Sequence, residues 1–147
     1  YKAFRSVENP MNKGELTFFV MEMMNLVRKA QLDVIDRLDC AWRRQGELRE
    51  LMDDAIERIG LKKKQEQGIV FMLMQYETFG MFGDASVEEV ADYLKVGTQA
   101  ARKHLRALED KGIAVKVNQR KPVTFGLTQQ FKDEFGVVPV VWRNPFE

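Results

Sequence analysis

The chain has 147 residues, 45% hydrophobic and 31% charged, which predicts one hydrophobic core with an appendage. Lys and Arg total 23 against 22 Asp and Glu, so bulk charge does not argue for a nucleic acid or an acidic substrate. A single cysteine, Cys40, excludes an internal disulfide, and a single histidine, His104, excludes multi-histidine metal sites. The sequence shows neither a membrane-spanning apolar run nor a signal peptide, so we expect a cytoplasmic protein that does not enter the membrane.

The first 60 residues predict a long helical segment. Its beginning is marked by the Asn9-Pro10 turn and by Gly14, and Gly60 is placed to end it. Gly46 leaves open whether the segment is one bent helix or two. Apolar residues recur at steps of three and four, as one helical face requires: Leu16, Val20, Met23, Val27, Ala30, Val34 and Leu38.

The beginning of this helix is apolar nearly all round. Nine of the twelve residues from Leu16 to Val27 are apolar, so we expect another element to cover them. Three covers are open: a missing N-terminal domain, a second copy of the chain in a homodimer, or the helix at 64–78. The chain begins with Tyr1 rather than Met, and we therefore expect a fragment of a longer protein.

The second half predicts three helices followed by a hairpin. The first helix covers 65–79, and the second is opened by a capping box of Ser86 and Glu89 and ends at Leu94. The third begins at Thr98, ends at Gly112 and has an apolar face of Ala101, Leu105 and Leu108. Two alternating segments, 113–117 and 123–127, predict a β-hairpin with a basic tip.

The phrase from Leu94 to Leu105 resembles the turn and recognition helix of winged helix-turn-helix domains, usually written L-G-V-S-R-Q-T-A-R-R-x-L. It departs from that pattern at Lys95, where a turn glycine is usual, and at Gly97, where a serine cap is usual. The resemblance covers 64–127. We therefore expect a mostly α fold with a small β-hairpin, divided into a helical segment at 1–60 and a winged helix-turn-helix domain at 61–147.

Such a domain binds double-stranded DNA with one exposed helix face and a wing. Between Lys95 and Lys121 there are eight cations against Glu109 and Asp110, whereas 15–60 has seven cations against ten acids. The neutral total therefore hides a basic recognition segment. Base edges are expected to be read by Gln99, Arg102 and Lys103, with Thr98 beside them on the exposed face; phosphates are expected to be bound by Arg106, Arg120 and Lys121.

A second resemblance lies at the beginning of the chain. The phrases Tyr1-Lys2-Ala3-Phe4, Ser6, Glu8-Asn9 and Asn12 to Phe19 are similar to the segment that follows the catalytic core of Fic-family proteins, with Glu15 in place of the commoner aspartate. The resemblance implies a parent chain that transfers AMP from ATP to a protein hydroxyl. The family signature H-x-F-x-[DE]-G-N-[GK]-R is not in this sequence, so this chain is not expected to catalyse that reaction.

The sequence thus predicts a non-catalytic winged-helix module of a Fic-family protein that binds DNA or regulates the attached enzyme, with no cofactor and no metal. Two alternatives stay open. One is a free-standing dimeric transcriptional regulator, and the other is a protein-interaction module that targets the attached enzyme. No nucleophile–base pair, carboxylate cleft, phosphate loop or metal cluster can be assembled, which disfavours an independent enzyme.

Overall fold

The elements follow one another as a very long helix, a helix, a short strand, two helices, a hairpin and a last short helix. The structure is a computed structural model that describes Arg5 and residues 16–80, 82–118, 120 and 122–141. The elements are α1 (Thr17–Ile59), α2 (Lys64–Phe79), β1 (Asp84–Ser86), α3 (Val87–Leu94), α4 (Thr98–Asp110), β2 (Ala114–Asn118), β3 (Thr124–Leu127) and α5 (Gln129–Phe135). The chain is therefore mostly helical with a small antiparallel sheet.

The first helix is a single element of 43 residues, which settles the question that Gly46 left open. A Cβ built at Gly46 meets nothing within 4 Å, so no close approach of another group requires a glycine at this position. Gly60 follows the helix with φ +72°, the left-handed conformation that ends many helices. Most of the segment predicted to resemble the end of a Fic core lies outside the described residues, which resume at Leu16.

Contacts along the chain divide it into two compact units, one containing the described residues 16–42 and the other spanning Arg43–Val141. The division expected from the sequence was at residue 60, the end of α1. In the first unit the apolar side chains of α1 are exposed, with Met24 67% and Trp42 78% accessible.

The core of the second unit draws on every helix and on the hairpin. It includes the last turns of α1, where Leu48, Met52 and Ala55 are buried. Its other apolar members are Leu61, Ile69, Val70, Met72, Leu73, Met74, Ala85, Val87, Val90, Ala91, Ala101, Leu105, Leu108, Ile113, Ala114, Phe125, Leu127, Phe131, Phe135 and Val137. None of the described helices is long and apolar enough to cross a membrane.

The sheet has the strand order β1-β3-β2, and both pairings are antiparallel. The β2–β3 hairpin confirms the sequence prediction within a residue or two. The sequence analysis does not predict the strand β1. Asp84, Ala85 and Ser86 carry no strand signal, and they become a strand because Gly126, Phe125 and Thr124 of β3 pair with them.

Candidate nucleic-acid interface

A tight turn joins α3 to α4 and sets the position of the candidate recognition helix. Lys95 has φ +53° and ψ +45° and is the one non-glycine residue with positive φ among the described residues. The backbone N–H of Val96 donates to the carbonyl oxygen of Ala91 at 3.0 Å, and the backbone N–H of Lys95 donates to the carbonyl oxygen of Asp92 at 3.2 Å. This left-handed turn stands where the sequence pattern usually has glycine, so Lys95 adopts it at a cost of about 1 kcal/mol.

The helices on either side of the turn begin differently. At the beginning of α3, Ser86 Oγ accepts from Glu89 N–H at 3.2 Å, and the Glu89 carboxylate accepts from Ser86 N–H at 2.7 Å, which confirms the predicted capping box. The Ser86 hydrogen bonds hold the pKa of Glu89 below its usual value, and they outweigh burial. At α4, Gly97 is the N-cap and supplies no side-chain hydrogen bond.

One face of α4 is fixed in the core of the second unit. Ala101, Leu105 and Leu108 are buried, as the sequence predicted. At its end, Lys111 Nζ donates to the buried Glu66 carboxylate at 2.6 Å, which links α4 to the first turn of α2. Burial alone would raise the pKa of Glu66, but the hydrogen bond from Lys111 and the nearby ammonium group of Lys63 hold the pKa below its usual value.

The opposite face of α4 is exposed and carries the predicted DNA-contacting residues. Gln99 precedes Arg102, Lys103 and Arg106 by three, four and seven residues, which places these four on one side of the helix. A shallow groove on this side is lined by Gln99, Arg102, Lys103 and Arg106 together with Asp110. All four of these residues are exposed. Thr98 is exposed too, but it precedes Ala101 and Leu105 by three and seven residues and therefore lies on their side of the helix.

Not all cations of the basic segment are available for a ligand. Lys111 is paired with Glu66, and Lys116 Nζ lies 3.0 Å from a carboxylate oxygen of Glu109. Within the part of the chain that the structure describes, no carboxylate forms an ion pair with Arg102, Lys103 or Arg106. The groove therefore presents three cations whose charge is not neutralised by an ion pair on the described surface.

The hairpin loop is stabilised by a residue that the sequence analysis did not single out. Asn118 accepts from Arg120 N–H at 3.0 Å and donates to the carbonyl oxygen of Pro122 at 3.3 Å. An asparagine at the beginning of a turn is the sequence signal for such an arrangement. Arg120 is exposed, as expected for the tip, and Lys121 lies outside the described residues.

Helix α4, the beginning of α3 and the hairpin meet at a second shallow depression. It is lined by Val87, Glu88, Arg102, Pro122 and Val123. Arg102 thus borders both depressions, which makes it the residue best placed to act with the helix and the hairpin together. Sequence reasoning missed Glu88, whose exposed carboxylate disfavours an anion at that rim.

The described residues offer no comparable arrangement for a metal, since no group of three or more His, Cys, Asp or Glu side chains is placed to hold an ion. What the groove can do chemically is bind a polyanion: guanidinium and ammonium donors reach phosphate oxygens, and the Gln99 amide and the Arg102 guanidinium can pair with base edges. Comparison of the chain with protein-family models and with curated proteins gave no match.

Proposed function

We propose that the second unit is a winged helix-turn-helix domain that binds double-stranded DNA with α4. The order of its elements supports this, because α2, β1, α3, α4 and the β2–β3 hairpin occur in the order of such a domain, and α3 and α4 are joined by a three-residue turn. The hairpin is then the wing. The left-handed conformation of Lys95 supports the same assignment, since it falls at the glycine position of the turn pattern.

The observation that carries the proposal is the set of exposed cations on α4. Arg102, Lys103 and Arg106 are on the face opposite the core, and they lack a carboxylate partner among the residues that the structure describes. Gln99, Arg102 and Lys103 enter the major groove, and Arg106 and Arg120 bind phosphates on either side. A cation that has no carboxylate partner can give its hydrogen bonds and its charge to a phosphate without first breaking an ion pair.

The test is a titration of a labelled duplex of about 30 base pairs followed by fluorescence anisotropy at increasing salt. The wild-type chain should bind with a slope of about −3 in a plot of log affinity against log salt, because about three phosphates are neutralised. The double variant Arg102→Ala with Lys103→Ala should weaken binding by about 100-fold or more, since it removes contacts worth about 1–3 kcal/mol each.

A matched control removes the same charge elsewhere on the second unit. Arg49 and Lys62 are exposed and distant from α4 in sequence, so Arg49→Ala with Lys62→Ala should change the affinity by no more than about twofold. Equal losses in the two double variants would mean that only bulk charge matters. Wild-type affinity in the α4 variant would contradict the assignment.

A chain that does not bind DNA in a salt-dependent way would favour the second candidate, a protein-interaction module. The observation in its favour is the exposed apolar part of α1, which includes Met24 and Trp42. In that case the resemblance to the Fic family suggests an attached enzyme as the protein that is targeted. Co-purification of the chain with an N-terminally extended version of itself, abolished by changes in 16–42 but not in α4, is the result that this candidate requires.

A further inference from the structure

The exposed apolar face of α1 has no role in the proposed DNA site. Its pattern is that of a helix that pairs with another helix. The structure leaves large apolar side chains between 41% (Met23) and 78% (Trp42) accessible along 16–42. Ten such side chains on one side of the helix expose on the order of 900 Å², more than the ~300–600 Å² of the largest patch on a typical monomer. One partner in a stable complex contributes about 800 Å², so this face is large enough for a stable dimer.

The spacing on this face follows a seven-residue repeat. Positions separated by alternating steps of four and three residues form one row, which we name the seam. All its members are exposed except Ala41, which is half-buried. The seam consists of Val20, Met24, Val27, Gln31, Val34, Leu38 and Ala41.

The same repeat continues into the second unit, where its positions are already occupied. Leu48, Met52 and Ala55 follow the seam in register and are buried in the core. A partner helix can therefore contact this repeat only as far as residue 42. This limits the pairing to the exposed part of α1.

We propose that a second copy of the chain covers this face, with the two α1 helices antiparallel and centred on Gln31. This arrangement places Val27 opposite Val34 of the second copy and Met24 opposite Leu38. It also places the bulkier Val20 opposite the small Ala41. The paired region then spans 20–42, which is the exposed part of the repeat, and the single polar residue of the seam meets its own copy at the symmetry axis, where two amides can hydrogen-bond.

Charge along the helix favours the antiparallel direction. The half before Gln31 carries Glu22 against Arg28 and Lys29, a net of +1, whereas the half after it carries three aspartates against Arg37, a net of −2. Antiparallel pairing places each basic half beside the acidic half of the second copy. Parallel pairing places like halves together, which is unfavourable at low salt.

The first measurement is sedimentation equilibrium of the whole chain between about 1 and 100 μM, a range that covers micromolar dimerisation. We expect twice the mass of one chain at the upper concentrations. Val27→Asp should yield the monomer, because each dimer then carries two buried carboxylates in its seam. Asn25→Asp adds the same charge two residues away on the polar side of the helix and should leave the dimer intact.

The second measurement tests direction and register by disulfide cross-linking in a Cys40→Ser background. Val20→Cys and Ala41→Cys should cross-link when the two proteins are mixed and oxidised, and neither should cross-link alone. A monomeric wild-type chain, a tetramer, an unaffected Val27→Asp dimer, or cross-linking of Val20→Cys with itself would each overturn the proposal. Circular dichroism of each variant shows whether helix content is kept, so a loss of dimer can be separated from a loss of folding.

Discussion

The ion pair between Glu66 and Lys111 is expected to contribute measurably to the stability of the second unit. The Glu66 side chain is 1% exposed and has Lys111 Nζ at 2.6 Å and Lys63 Nζ at 3.2 Å. Replacing Lys111 with Met keeps the length of the side chain and removes the charge. The Glu66 carboxylate then keeps only the longer ion pair in a buried position.

The expected cost follows from the burial of the two partners. Removing one partner of a fully buried pair costs about 3–5 kcal/mol because a buried charge is left uncompensated. Here the Lys111 side chain is 41% exposed and Lys63 remains, so solvent and the second cation reduce the cost. We expect Lys111→Met to lower the free energy of unfolding by about 1–2 kcal/mol.

Urea unfolding followed by circular dichroism measures this difference, and the chain offers a matched control. Lys116 pairs with Glu109 at 3.0 Å, and both side chains are more than a third exposed. Lys116→Met should therefore cost no more than about 0.5 kcal/mol. Equal effects of the two lysine substitutions would refute the reasoning, because burial of the Glu66 carboxylate is the feature from which the larger cost is derived.

The pH dependence gives a second check on the same pair. The pKa of Glu66 lies below its usual value of 4.5 because the hydrogen bond from Lys111 and the charge of the Lys63 ammonium group outweigh burial. Its ionised form is therefore the one that stabilises the fold. The contribution is complete above about pH 4.5 and is lost as the pH falls through the lower pKa of the folded chain. The Glu66→Gln variant should lack this component of the acid-induced loss of stability. If the free energy of unfolding of the variant fell with decreasing pH as it does in the wild type, this prediction would be wrong.

Two further substitutions test the turn before α4. Lys95→Gly should raise the free energy of unfolding by about 1 kcal/mol, because glycine adopts φ +53° without strain, whereas Lys95→Ala should change it by less than about 0.5 kcal/mol; equal effects in urea unfolding would contradict this. Gly97→Ser should raise the free energy by about 0.5 kcal/mol through a hydroxyl cap, since a Cβ there meets nothing within 4 Å, and thermal unfolding no higher than wild type would argue against it.

Several features of the fold were predictable because they depend on neighbours in sequence. The capping box of Ser86 and Glu89, the buried face of α4 and the β2–β3 hairpin follow from local spacing, and the structure confirms each. The exposed face of α4 was predictable for the same reason. Once Ala101, Leu105 and Leu108 face the core, the helical period places Arg102 and Arg106 on the other side.

Sequence by itself therefore determined the positions of α2, α3, α4 and the hairpin and the side of α4 that carries exposed cations, since these depend on periods of two and 3.6 residues. Tertiary structure alone decided the rest. Pairing with β3 made Asp84–Ser86 a strand. Packing buried Glu66 beside Lys111, which separates this paired cation from the cations that have no ion pair among the described residues. Leu48 and Val27 belong to the same seven-residue repeat, but only Leu48 is buried. The sequence could not predict this difference, because a repeat shows which face of a helix is apolar and not what covers that face.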